Sequence, residues 1–176
     1  AGAVLVPLNV RLTAAELAWQ LRDAGAVLIL HDDANRDAAV AAAAWVDGCT
    51  TAPLAGLGVD REPLAGWPID LGRVQGVVYT SGTTGRPKGA QLTFGNWWSG
   101  ATASAVHLGH DPHDRWLAAL PLFHVGGLAI LFRSVIAGSP VTLLDGFDGD
   151  EAVAAIGRDG ATLVSLVAAS LGRLLE

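Results

Sequence analysis

The sequence has 176 residues, 51% of them hydrophobic and 16% charged, with a mean hydropathy of +0.41, which is enough apolar material for one sizeable core. Its net charge of −6 and the lack of a basic stripe argue against a nucleic-acid partner. No apolar run reaches the roughly 18 residues of a membrane span, no basic segment leads into an apolar one as in a secretory signal, and the single cysteine, Cys49, cannot close an internal disulfide; a cytoplasmic location fits.

In chain order, Val4 to Leu8 reads as a short strand. Thr13-Ala14-Ala15-Glu16 is a capping box, so a helix is expected to about Asp23, with Gly25 as its stop. Val27 to Leu30 is an apolar strand, and the alanine-rich stretch from Asn35 to Trp45 a helix. Gly48 to Gly72 holds many Gly and Pro residues without a period and is expected to form a loose surface excursion. Gly76 to Thr80 is a strand, and Thr93 caps a helix from about Gly95 to Val106. Asp111 to Asp114 is a turn, Trp116 to Leu120 a strand, Gly126 to Ile136 a helix and Pro140 to Leu144 a strand. Asp148 to Glu151 is a second capping box, opening a helix to about Arg158. Thr162 to Val167 is a strand, and Ser170 starts the last helix. Strands alternating with helices imply an α/β layered fold, a mainly parallel sheet flanked by helices. Ala1 opens inside an apolar segment and Glu176 closes a helix just begun, so the chain is expected to be an internal piece of a longer protein.

Tyr79-Thr80-Ser81-Gly82-Thr83-Thr84-Gly85-Arg86-Pro87-Lys88-Gly89 carries the clearest chemistry. Glycines let backbone N–H groups approach phosphate oxygens. The Thr80, Ser81, Thr83 and Thr84 hydroxyls add neutral donors, and Lys88 adds a mobile positive charge. The stretch is not a Walker P-loop, because Lys88 follows Pro87 and precedes Gly89, with no hydroxyl after the lysine for a metal. A polar turn without a ligand is the alternative reading. A second constellation, Leu120-Pro121-Leu122-Phe123-His124-Val125-Gly126-Gly127-Leu128, follows a strand and opens a helix, a favoured place for ligand sites in α/β sheets. Phe123 flanks His124, and Gly126 and Gly127 allow a ligand close or expose helix N–H groups to a carboxylate; a plain helix-start histidine is the alternative. His110-Asp111-Pro112-His113-Asp114 fits no zinc spacing and reads as a solvated turn. Of Trp97 and Trp98, one is expected in the core and the other near the surface.

The order of residues 79–89 resembles the phosphate motif of the adenylate-forming, or AMP-binding, superfamily: an aromatic residue, then Thr-Ser-Gly-Thr-Thr-Gly-x-Pro-Lys-Gly. It matches at every fixed position. The segment 121–127 is similar to the superfamily's Pro-Leu-Phe-His-x-x-Gly. The resemblance implies that Thr80, Ser81, Gly82, Thr83, Thr84, Gly85 and Lys88 bind the phosphates of ATP, and that Phe123, His124, Gly126 and Gly127 border the acyl pocket. It implies an acid–thiol ligase that turns a carboxylate and ATP into an acyl-adenylate, then an acyl-CoA, with ATP, Mg2+ and coenzyme A as cofactors and co-substrates and a small carboxylic acid as partner. Residues 1–176 then form part of the large N-terminal adenylation domain, with the C-terminal domain absent and no confident catalytic residue or metal ligand within them.

Three stretches, 7–13 with 16–21, 116–144, and 163–167 with 171–175, are similar to the o-succinylbenzoate–CoA ligases of menaquinone biosynthesis. Many members of the superfamily have a proline soon after the last strand, where this chain has Ala168-Ala169. That acid carries two carboxylates, so one must be held while the other reacts; Arg11 and Arg133 are candidates, with a surface or helix-end role as the alternative for each. Rival readings are a fatty-acyl-CoA ligase, a peptide-synthetase adenylation domain and, from another class, a catalytically silent nucleotide-binding or interaction module. Nothing in the sequence specifies an oligomeric state.

Overall fold

The computed structural model describes residues 2–58, 68–82 and 86–175. Thr13 takes the Glu16 N–H while the Glu16 carboxylate accepts the Thr13 N–H at 2.8 Å, closing the expected capping box on α1 (Ala14–Ala24). Gly25 ends the helix at φ +63°, a left-handed turn that glycine adopts without a Cβ penalty, and the Ala26 N–H donates back to the Leu21 carbonyl at 2.9 Å. The chain divides into two units, residues 1–69 with 75–91 and residues 70–74 with 92–176, and crosses between them within β3 and β4.

In the first unit α1 and α2 (Arg36–Ala43) pack on a parallel pair, β1 (Leu28–His31) and β2 (Thr50–Pro53), with Leu28 opposite Thr50. Leu17, Leu21, Ile29, Ala42 and Val46 form the core. Strand β2 corrects the expected loose excursion: Thr50 and Thr51 are β-branched and suit a pleat, although the segment shows no apolar alternation. The rest of that expectation, over 59–67, lies outside the described residues. The strand expected over Val4 to Leu8 shrinks to one parallel bridge. The Leu5 N–H donates to the Gln75 carbonyl at 2.9 Å and the Val77 N–H to the Leu5 carbonyl at 2.8 Å, after which Pro7 has no N–H to extend a ladder. Strand β3 (Val74–Thr80) pairs with β4 (Lys88–Thr93), which the sequence did not reveal. The connection 81–87 is too short for the crossover that a parallel pair needs, so the two form a hairpin.

The second unit is layered. A parallel sheet of order β6-β5-β7 has β5 (Trp116–Ala118) at its centre, between β6 (Val141–Leu143) and β7 (Leu163–Val164). Side chains alternate across it. Trp116 and Ala118 pack with Ile130 of α4 (Val125–Ala137), whereas Leu117 packs with Ala152 and Ala155 of α5 (Gly149–Asp159) and Leu174 of α6 (Ala168–Leu175). Helix α3 (Phe94–Leu108) lies against α4, with Trp97 stacked on Phe132 at 4.1 Å. Thr93 and Asn96 close a capping box on α3, so that Trp97 is buried and Trp98 exposed, as the pattern implied.

Three details differ from the sequence reading. Asp148 caps α5 by accepting the Glu151 N–H at 2.9 Å, but Glu151 makes no return bond and instead adds to the field on Arg158, so the box is half formed. Strand β5 stops at Ala118 and β7 at Val164, short of the expected ends. Helix α6 starts at Ala168, before Ser170, the Val167 carbonyl accepting the Ser170 and Leu171 N–H groups.

Candidate functional site

The phosphate-type loop belongs to the first unit. Strand β3 delivers Thr80 and Ser81 to solvent at its end, and Lys88 stands exposed at the start of β4. The Thr80 hydroxyl donates to the Lys88 carbonyl at 3.5 Å, so both ends of the loop meet at one place. Gly82 has φ +52°, and a Cβ there would strike the Arg86 carbonyl, so the reversal requires glycine twice over. Gly89 has a different reason: a Cβ would lie 2.8 Å from Val77 Cγ1 and 3.2 Å from the Tyr79 ring. Its lack of a side chain lets β4 lie close on β3, rather than admitting a ligand. Thr83, Thr84 and Gly85 lie outside the described residues.

Tyr79 anchors the strand that feeds this loop. Its hydroxyl donates to the Asp23 carboxylate at 2.7 Å and faces the Gln20 carbonyl at 3.0 Å, while its ring meets Trp19 edge-on at 5.9 Å. Burial first, then the hydrogen bond to Asp23 and its charge, push the phenol well above its ordinary value, so it stays a neutral donor. Sequence reasoning treated Tyr79 only as the aromatic residue opening the motif. The available signal was a single tyrosine, with a polar tip, directly after the apolar pair Val77-Val78.

The second constellation belongs to the other unit and is described by itself. His124 is the N-cap residue of α4, exposed and without a side-chain capping bond, its ring 4.5 Å from that of Phe123. Its side chain is therefore available to a ligand. Gly126 is open, with only a Leu120 methyl at 3.6 Å from a virtual Cβ. Gly127 is buried, and a Cβ there would strike the Leu120 and Pro121 carbonyls, so its smallness serves the packing of α4 on the preceding loop. The Gly127 N–H donates to the His124 carbonyl at 3.1 Å and the Leu128 N–H to the same oxygen at 3.0 Å. The expectation that the Gly127 N–H faces a carboxylate is corrected accordingly; Val125 and Gly126 hold the N–H groups that a helix start leaves over.

The remaining polar candidates are structural. Asp32 accepts the Asn35 N–H and side-chain amide, both at 2.8 Å, ahead of α2. In the segment from His110 to Asp114, Asp111 accepts the His113 N–H at 2.7 Å and Asp114 accepts both the Asp111 N–H and the Thr162 hydroxyl, which makes the expected turn. Cys49 is half-buried in a loop, and burial raises its thiol. Among the described residues no helix is long and apolar enough to cross a membrane.

The AMP-binding enzyme family model matches residues 1–176, and the chain belongs to that family. Within it, the chain is 42% identical over 174 residues to 2-succinylbenzoate–CoA ligase of Geobacillus kaustophilus (strain HTA426), covering 99% of this chain and 35% of the relative. Among solved structures, o-succinylbenzoate coenzyme A synthetase (MenE) from Bacillus subtilis in complex with ATP and magnesium ion superposes with a TM-score of 0.84 at 36% identity, over 96% of this chain and 35% of that one. A putative long-chain-fatty-acid CoA ligase from Rhodopseudomonas palustris superposes with a TM-score of 0.86 at 26% identity, over 99% of this chain and 46% of that one. The chain thus spans about a third of the length of the curated relatives it matches.

Proposed function

We propose that the chain supplies the triphosphate loop and one wall of the acid pocket of an ATP-dependent carboxylic acid–CoA ligase, as part of its N-terminal adenylation domain. The acid is o-succinylbenzoate, on the route to menaquinone, in line with the relatives' names. A carboxylate oxygen attacks the α-phosphorus of ATP and pyrophosphate leaves. The thiol of coenzyme A then attacks the acyl carbon of the adenylate, and AMP leaves.

The observation that carries this reading is the loop mouth, where the Thr80 and Ser81 hydroxyls and the Lys88 ammonium are exposed at adjoining strand ends around the reversal at Gly82. With Thr83, Thr84 and Gly85 they bind the β- and γ-phosphates. Hydroxyls, amide N–H groups and an ammonium suit phosphate oxygens, and the loop has no carboxylate for a cation. Mg2+ would then meet this loop only through the phosphate oxygens, where it would neutralise their charge. Phe123, His124 and Gly126 border the acid, with Gly127 setting the height of α4 beneath them. A cytoplasmic location belongs to the same reading, since ATP and coenzyme A are its co-substrates, and the charge of −6 gives nucleic acid no footing.

A fatty-acid ligase is the second reading, supported by the Rhodopseudomonas palustris superposition. Thioester formation by the whole protein carrying this chain separates the two. Preference for o-succinylbenzoate is expected; long-chain fatty acids outperforming it support the second reading. No thioester with any acid, alongside retained ATP binding, supports a silent nucleotide-binding module.

A further inference from the structure

In the second unit, a cavity of about 30 Å3 lies where the C-terminal halves of α3 and α4 meet the start of β5. Ser104, His110, Asp114, Arg133 and Ser139 supply its polar wall. Two of these groups lack a partner among the described residues. The Ser139 hydroxyl is buried, in a residue only 7% exposed, and bonds to nothing. Arg133 Nε is likewise buried without an acceptor, while its guanidinium lies over the Trp116 ring, 5.6 Å from the centre. The backbone around Ser139 is fixed, so the hydroxyl cannot swing away with it. The Ser139 N–H donates to the Ser134 carbonyl at 3.0 Å, and the Ser139 carbonyl accepts the Ser134 hydroxyl. The next carbonyl, that of Pro140, accepts the Trp116 N–H at 2.9 Å. Buried polar groups are seldom left unpaired, and two on the wall of one cavity call for a shared partner inside it.

We infer that this cavity is the seat of one structural water molecule, which bridges Arg133 Nε to the Ser139 hydroxyl and so ties α4 to the turn that enters β6. Size selects the occupant first. A water needs roughly 10–15 Å3 by the same measure, so the cavity admits water and excludes an organic ligand. Charge selects it next. Arg133 and Asp114 put opposite signs on the wall, which favours a neutral molecule over an ion of either sign. Asp114 is also engaged already, its carboxylate accepting the Asp111 N–H at 2.9 Å and the Thr162 hydroxyl at 2.8 Å. Hydrogen bonding selects it last, because the two groups need a partner that both accepts and donates. The water oxygen takes the Arg133 Nε–H, one hydrogen goes to the Ser139 oxygen, and the second is left for the Ser104 hydroxyl on α3. About three bonds is the usual complement of a buried water. The bridge joins α3, α4 and the β6 turn whichever acid the protein uses, so it stands apart from the ligase reading.

A high-resolution crystal structure of the whole wild-type protein tests this without any variant. One oxygen is expected within about 2.7–3.2 Å of both Arg133 Nε and Ser139 Oγ. Clear density with nothing at that position, or an anomalous scatterer there, overturns the inference. Ser139→Ala in the whole protein gives an independent answer through the sign of its effect. Where the hydroxyl holds a water, its removal leaves that water and Arg133 short of a partner, and the melting temperature falls by about 1–4 °C. Where the hydroxyl is unpaired, the same substitution relieves a buried polar group, and the melting temperature holds or rises. An unchanged or higher melting temperature in Ser139→Ala therefore overturns the bridge as well.

Discussion

Tyr79→Phe removes one hydroxyl from the strand that leads into the loop and keeps the ring, so the contact with Trp19 survives. The lost donor serves the Asp23 carboxylate at 2.7 Å and the Gln20 carbonyl at 3.0 Å. A hydrogen bond to a charged acceptor contributes about 1.5–3 kcal/mol. Asp23 is exposed and regains water in the variant, which brings the loss to about 1–1.5 kcal/mol. For a chain of this size that lowers the melting temperature by about 2–5 °C. Because Tyr79 is the only tyrosine, its phenol can also be titrated directly by tyrosinate absorbance. Its folded pKa is raised, so the unfolded chain releases the proton first as pH climbs past about 10. The contribution is complete below that pH and fades above it. Asp23→Asn removes the charge and weakens the bond but leaves burial, the larger cause, so the phenol should descend only part of the way. Looser anchoring of β3 should also raise the KM for ATP in the whole protein. An unchanged melting temperature, together with a phenol that ionises at its ordinary value, would refute the anchor.

Gly82→Ala should damage ATP use, since its Cβ meets the Arg86 carbonyl at a left-handed φ. Gly157→Ala, on the open side of α5, should stabilise the chain by about 0.5–1 kcal/mol in denaturant titration. Glu16, Asp32 and Asp114 are held low by hydrogen bonds to Thr13, Asn35 and Asp111, and Asp159 by its bond to Arg158. Their folded values lie below the unfolded ones, so their contribution is present above about pH 4 and lost as pH falls through the lowered values, which acid unfolding should follow. The 176-residue chain alone should release no acid-dependent pyrophosphate in the presence of ATP, magnesium and a panel of acids, because the loop is one part of the positioning that phosphoryl chemistry needs.

Local signals were legible where one residue type has one physical use. Thr13 with Glu16, Gly25 and Thr93 fixed helix ends because caps act within a turn. Strands fared worse where pairing, rather than pattern, makes them. Thr50 to Pro53 has no alternation and is a strand only because β1 lies beside it. Lys88 to Thr93 opens with a lysine and a glycine, and Gly89 reads as a loop residue until Val77 and Tyr79 are seen against it. The motif identified the loop, but the Tyr79 anchor spans 56 residues to Asp23, and no local spacing encodes it. At the second constellation, Gly126 and Gly127 look alike in sequence. Only the approach of the Leu120 and Pro121 carbonyls separates the open glycine from the packed one.

The central claim is that residues 80–88 hold the triphosphate while the His124 segment serves the acid. ATP–pyrophosphate exchange by the whole protein, with ATP and o-succinylbenzoate varied separately, tests it most directly. Lys88→Ala should weaken ATP and pyrophosphate use roughly tenfold or more, with the KM for the acid little changed. His124→Ala should do the reverse, impairing the acid and sparing ATP. Wild-type ATP kinetics in Lys88→Ala, or loss of the ATP site in His124→Ala with normal acid kinetics, would contradict the assignment.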